Sequence, residues 1–144
     1  MRNDKLLKSL KEIEQRRGVL KPQFVVQEAE DPSHPLHSEF DWDDAVAAEK
    51  HRLQQARQLI SKVRIQFKEN EIDAFYSVRV ELANGQQDRA YVSHSVILKN
   101  PSLREQILQD ALTELMHWEE KYAEYSELKP VMDAAKEVKE EVNL

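Results

Sequence analysis

The densest group of side chains able to do chemistry lies between His34 and Asp44, where His34, His37, Glu39, Asp41, Asp43 and Asp44 place two imidazoles and four carboxylates within eleven residues. Such ligands suit a hard or borderline divalent cation, which makes His34, His37 and Asp41 the metal candidates. Their spacing argues against the site. His-x-x-His in a segment carrying Pro32 and Pro35 lacks the helical register that aims both rings at one point, and the aspartates are better used as helix caps. No metal is expected, and His37 and Trp42 are expected to be structural, with their ring nitrogens bonded to the loop backbone.

Ser93-His94-Ser95 sets hydroxyls beside an imidazole, but neighbouring strand residues point to opposite faces and cannot act together as nucleophile and base, so the triplet reads as the end of a strand. The absence of cysteine excludes thiolate nucleophiles, thiolate zinc sites and disulfides. Gly18 and Gly85 are the only glycines, too few for a phosphate loop or dinucleotide fingerprint. No cofactor is expected, and a metal-dependent enzyme ranks last among three functional readings.

Charge offers more. The net charge of −6 is segregated: residues 1 to 21 carry seven basic and three acidic side chains, 22 to 48 none and seven, 49 to 100 nine and six, and 101 to 144 five and eleven. Lys50, Arg52, Arg57, Lys62 and Arg64, joined by Arg16 and Arg17, form the candidate surface for a macromolecular partner or nucleic acid. Such alternation fits self-association or a charged partner better than uniform DNA binding, because the acidic block would repel phosphates within a Debye length.

Helical spacing of Leu6, Leu7, Leu10 and Ile13, closed by Gly18, predicts a first helix, and Pro22 opens a second that Asp31-Pro32 stops. A third is expected from Asp44 to Lys62, with Ala45, Ala48, Arg52, Ala56, Leu59 and Val63 on one stripe. The period then becomes two. Val63, Ile65 and Phe67 form a strand, a polar turn at Glu69 to Glu71 follows, and Ile72, Ala74, Tyr76, Val78, Val80 and Leu82 share one face of the next. Parity requires a three-residue loop of Ala83, Asn84 and left-handed Gly85, pairing Val78 with Ala90 and Tyr76 with Val92. Asn100-Pro101 starts a long helix in which Leu108, Ala111, Leu115, Trp118, Tyr122 and Tyr125 make a heptad seam, and Val131, Ala135, Val138 and Val142 mark a last helix.

The expected fold is therefore α+β in a single domain, 1–144: helices over 1–62, a three-stranded antiparallel meander over 63–98, and C-terminal helices over 100–143 packing on it. Leu108, Leu115, Trp118, Tyr122 and Tyr125 are the expected oligomer interface, since the seam exceeds what one small sheet needs. No apolar segment is long enough for a membrane span and none follows the charged start as an export signal would require, so no membrane partner is expected.

The string Leu20-Lys21-Pro22, Val25-Val26, Ala29, Asp31-Pro32, Pro35-Leu36-His37, Phe40, Trp42-Asp43-Asp44, Ala47-Ala48, Arg52, Gln55-Ala56-Arg57 and Leu59-Ile60 resembles a family of small phage and prophage proteins of unassigned function. The likeness continues through Asn100-Pro101, Leu103-Arg104 and Trp118. It implies a bacterial cytoplasm, a mobile genetic element, and a binding or regulatory role in place of metabolism; it carries over no site residues, and the expected location is the bacterial host cytoplasm or the virion. Similar sequences place a hydroxyl or acid where Lys21 stands, which leaves the second helix without its usual N-cap. The expected function is a non-enzymatic, self-associating accessory protein that engages a host or phage macromolecule, a protein or DNA. The alternative is DNA binding through the basic helix 44–62.

Overall fold

The structure is a computed structural model that describes residues 2–43 and 48–142. It is α+β and divides into two compact units, Met1–Pro101 and Ser102–Leu144.

In the first unit α1 (Arg2–Arg17) buries Leu6, Leu10 and Ile13 on one side. Arg16 and Arg17 occupy its last turn, where cations suit the carbonyl end of a helix. Gly18, at φ 88°, ends it by returning its N–H to the Glu14 carbonyl at 2.8 Å. Leu20 then exchanges both backbone hydrogen bonds with Tyr91, and Pro22 opens α2 (Pro22–Ala29), which buries Val25, Val26 and Ala29. Lys21 is the N-cap and makes no side-chain capping bond, as its residue type implies. A single 3-10 turn, His37–Glu39, leads towards α3 (Ala48–Lys62), whose buried residues are Ala56, Leu59 and Ile60. The expected start of this helix at Asp44 and Ala45 lies outside the described residues, and Ile60 joins the stripe that spacing gave to Leu59 and Val63.

The strands are β1 (Arg64–Phe67), β2 (Asn70–Asp73), β3 (Phe75–Glu81) and β4 (Gln87–Ser93). They form two antiparallel hairpins, β1-β2 and β3-β4, and not a three-stranded meander. The reason sits at Ala74. A residue in a regular antiparallel ladder exchanges both its bonds with one opposite residue. Ala74 instead donates to the Val63 carbonyl and accepts from the His94 N–H, both at 3.0 Å, so the chain turns there and changes partner. Ala74 and Phe75 are consecutively buried, which breaks the alternation that made 72–82 read as one strand.

The first turn is Lys68-Glu69, one residue earlier than expected, with Lys68 at φ 56°. The second follows parity: Val78 pairs Ala90, Tyr76 pairs Val92, and Gly85 is left-handed at φ 83°. At Ser93 the strand ends and α4 (His94–Leu98) begins, so only the first residue of the Ser-His-Ser triplet belongs to a strand.

The second unit is helical. It contains α5 (Pro101–Lys121, from Ser102 onward), a 3-10 turn at Ser126–Leu128 and α6 (Lys129–Val142). Among the described residues no helix is long and apolar enough to cross a membrane.

Candidate functional site

The histidine loop is a packing device. His37 Nδ1 lies 2.7 Å from the Ala29 carbonyl and therefore donates to it. Trp42 Nε1 donates to the His37 carbonyl at 2.7 Å, and the two rings stack at 4.9 Å and 6°. His34 Nδ1 accepts the Leu36 N–H at 3.1 Å, and an Asp41 oxygen accepts the Asp43 N–H at 3.1 Å. His34, His37 and Asp41 are thus not gathered as ligands: among the described residues no group of three or more His, Cys, Asp or Glu could hold a metal ion. Asp31 is held below its usual pKa by the backbone and then the hydroxyl of Ser33, both bonded to its Oδ1.

Ser93 and His94 also do structural work. Buried Ser93 gives its N–H to a carboxylate oxygen of buried Glu14 at 2.7 Å, joining the end of α1 to the end of β4. The His94 ring meets Phe67 edge-on at 4.5 Å, with its Nε2 buried and without a hydrogen-bond partner among the described residues.

The basic candidates separate into two sets. Arg16 and Arg17 both grip Glu28, and Arg17 also covers the Phe24 ring at 4.8 Å. Burial raises the Glu28 pKa, but the hydrogen bonds and charges of Arg16 and Arg17 outweigh it and leave the carboxyl below its ordinary value. Arg64 pairs with Asp73 at 2.8 Å and donates to the Glu71 carbonyl at 3.0 Å. Arg52 lies over the Trp42 ring at 5.1 Å. Lys50, Arg57 and Lys62 stand exposed on α3.

Arg57 has company that sequence spacing does not reveal. It lines a half-open hollow of about 290 Å³ with Lys21, Ser77 and Arg89. These residues come from α3, the entrance to α2, β3 and β4, and no local pattern joins them; only the packing of α2 on α3 and the hairpin register bring them together.

In the second unit Leu108, Leu115, Trp118 and Tyr122 are half-buried, Leu112 is the buried residue of α5, and Ala111 is exposed, so the stripe runs through Leu112 and not Ala111. Trp118, Tyr122 and Tyr125 form a chain of tilted rings at 5.5 and 6.1 Å. Tyr125 lies beyond the helix end and is 57% exposed. On α6 the stripe Val131, Ala135, Val138, Val142 is present, but only Ala135 is buried; Val131 is 49% and Val138 42% exposed. Lys139 pairs with Glu119 at 2.9 Å, linking α6 to α5.

No protein-family model, curated protein or solved structure matches the chain.

Proposed function

We propose that the chain is a non-enzymatic accessory protein of phage type, acting in a bacterial host cytoplasm. It pairs with a second copy through Ser102–Leu144 and presents the charged helices of its first unit to a host or phage macromolecule. The phage context rests on the resemblance of residues 20–60. The pairing rests on one observation: Val131 and Val138 on α6, Met116 on α5 and Tyr125 just beyond it are each more than 40% exposed.

Among the described residues of this unit only Leu112 and Ala135 are buried, the other large apolar side chains being half-buried or exposed, and a unit this small usually needs a partner to be stable. A second copy is the occupant that fits. The 3-4 spacing of both stripes is that of helices packing on helices. Helices about 31 and 21 Å long and about 10 Å wide present together on the order of 500 Å² per partner, the lower end of specific interfaces. The unit also holds five basic against eleven acidic side chains, so two copies repel at their rims. Apolar pairing is therefore strengthened as salt screens that repulsion, whereas a basic partner on the same face would be released by salt.

Sedimentation equilibrium tests the reading. The expected mass is twice 16.9 kDa for the natural chain, rising in dimer fraction with salt, and one copy for Val131→Glu with Val138→Glu at unchanged helical circular dichroism. A one-copy mass for the natural chain at about 100 µM overturns it.

The exposure of Lys50, Arg57 and Lys62 supports a second reading, DNA binding through α3. Three phosphate contacts give a log–log salt slope near −2.7, that is about −0.9 per contact, and a flat salt dependence removes this reading.

A further inference from the structure

The hollow lined by Lys21, Arg57, Ser77, Asp88 and Arg89 belongs wholly to the first unit and is independent of the pairing described above. Three cations and one carboxylate line it. Lys21 is paired with Asp88, and the Lys21 hydrogen bond, followed by that from the Arg89 N–H, holds the Asp88 carboxyl below its usual pKa. The positive charge left over is that of two guanidinium groups. Arg89 spends one donor on a 3.4 Å bond to the Ser77 hydroxyl, and Arg57 stands exposed at the same hollow. Each guanidinium has five donors, and among the described residues the Arg89–Ser77 bond is the one side-chain hydrogen bond these two groups make.

We infer that this hollow is a phosphate-binding site in which Arg57 and Arg89 hold the anion, with Lys21 and the Ser77 hydroxyl completing its surroundings. The chemistry selects phosphate over carboxylate. Two guanidinium groups on separate elements, with an ammonium and a hydroxyl lining the same hollow, offer donors from different parts of the chain. A tetrahedral dianion has oxygens for all of them, whereas a planar carboxylate fills one fork. At about 290 Å³ the hollow sits at the lower edge of ligand-pocket sizes, which suits a phosphate and the group it is attached to more than a whole cofactor. Keeping Asp88 bound to Lys21 limits its repulsion of the anion.

Titration of the full chain with inorganic phosphate, at ionic strength held constant with chloride, tests this by following the Nε–H signals of the arginines in nuclear magnetic resonance. Saturable shifts at Arg57 and Arg89 are expected. Arg57→Gln and Arg89→Gln should each weaken the apparent affinity about fivefold or more, the scale of a charge-assisted hydrogen bond in a half-open site, while Lys11→Gln, exposed on α1 and outside the hollow, leaves it unchanged. Circular dichroism confirms that each variant is folded. Parallel titrations with a mononucleotide and a single-stranded oligonucleotide identify the source. Equal affinity for both assigns the site to a small phosphorylated molecule, and markedly tighter, steeply salt-dependent oligonucleotide binding assigns it to a nucleic-acid backbone. Shifts that fail to saturate, that chloride alone reproduces, or that Lys11→Gln weakens as much as Arg57→Gln overturn the proposal.

Discussion

Replacing Glu14 with alanine cuts the link between the end of α1 and the end of β4. Glu14 is 7% exposed, and its carboxylate accepts the N–H of Ser93, itself buried, at 2.7 Å. A hydrogen bond to a charged group contributes about 1.5–3 kcal/mol, and leaving a buried N–H without a partner costs about 1–3 kcal/mol. These overlap, and removing a buried carboxylate also relieves its desolvation, so the net expected loss is about 2 kcal/mol. For a unit of about a hundred residues that corresponds to a fall in Tm of roughly 10 °C. Glu14→Gln keeps an oxygen in reach of Ser93 and should lose under about 1 kcal/mol. Urea denaturation of the full chain, followed by circular dichroism at one fixed protein concentration, separates the two variants. Equal stabilities for Glu14→Ala and Glu14→Gln, within about 0.5 kcal/mol, would refute the reasoning, because the bond would then contribute nothing beyond side-chain volume.

Gly85→Ala places a Cβ in open space but on a left-handed backbone, so it should destabilise by about 1–2 kcal/mol in urea titration, with Gly85→Asn losing less. The depressed folded-state pKa of Glu28 means that its pairing with Arg16 and Arg17 stabilises fully above the ordinary glutamate pKa and is lost as pH falls through the folded value. Glu28→Gln should flatten that acidic limb of a stability–pH curve, and an unchanged limb contradicts the assignment. His94→Phe removes the unpartnered buried Nε2 while keeping an aromatic edge against Phe67, so thermal unfolding should show no loss and a gain of up to about 1 kcal/mol.

Local chemistry was legible wherever one short segment decides the outcome. Gly18 and Pro22 mark the helix boundary they should, Gly85 takes the positive φ that loop parity requires, and the Trp42 nitrogen finds a loop carbonyl, while that of His37 reaches the carbonyl of Ala29 at the end of α2. What failed was the step from local pattern to pairing. Residues 72–82 keep an apolar period of two straight through Ala74, so nothing in the alternation marks the residue where the chain leaves β1 for β4. The fate of charges was equally hidden. Arg16, Arg17 and Arg64 look like Arg57 in a list, yet Glu28 and Asp73 claim the first three once the helices and hairpin form. The hollow at Arg57 depends on Lys21 and Arg89, which lie far from it in the chain.

Amide hydrogen exchange across α5 and α6, measured at two protein concentrations of about 1 and 100 µM, tests the pairing most directly. If two copies pair, protection of the Leu108–Tyr122 and Val131–Val142 amides rises with concentration, while amides of α1 and β4 do not change. Protection of the two C-terminal helices that is identical at both concentrations, in a chain whose mass is that of one copy throughout, would contradict it.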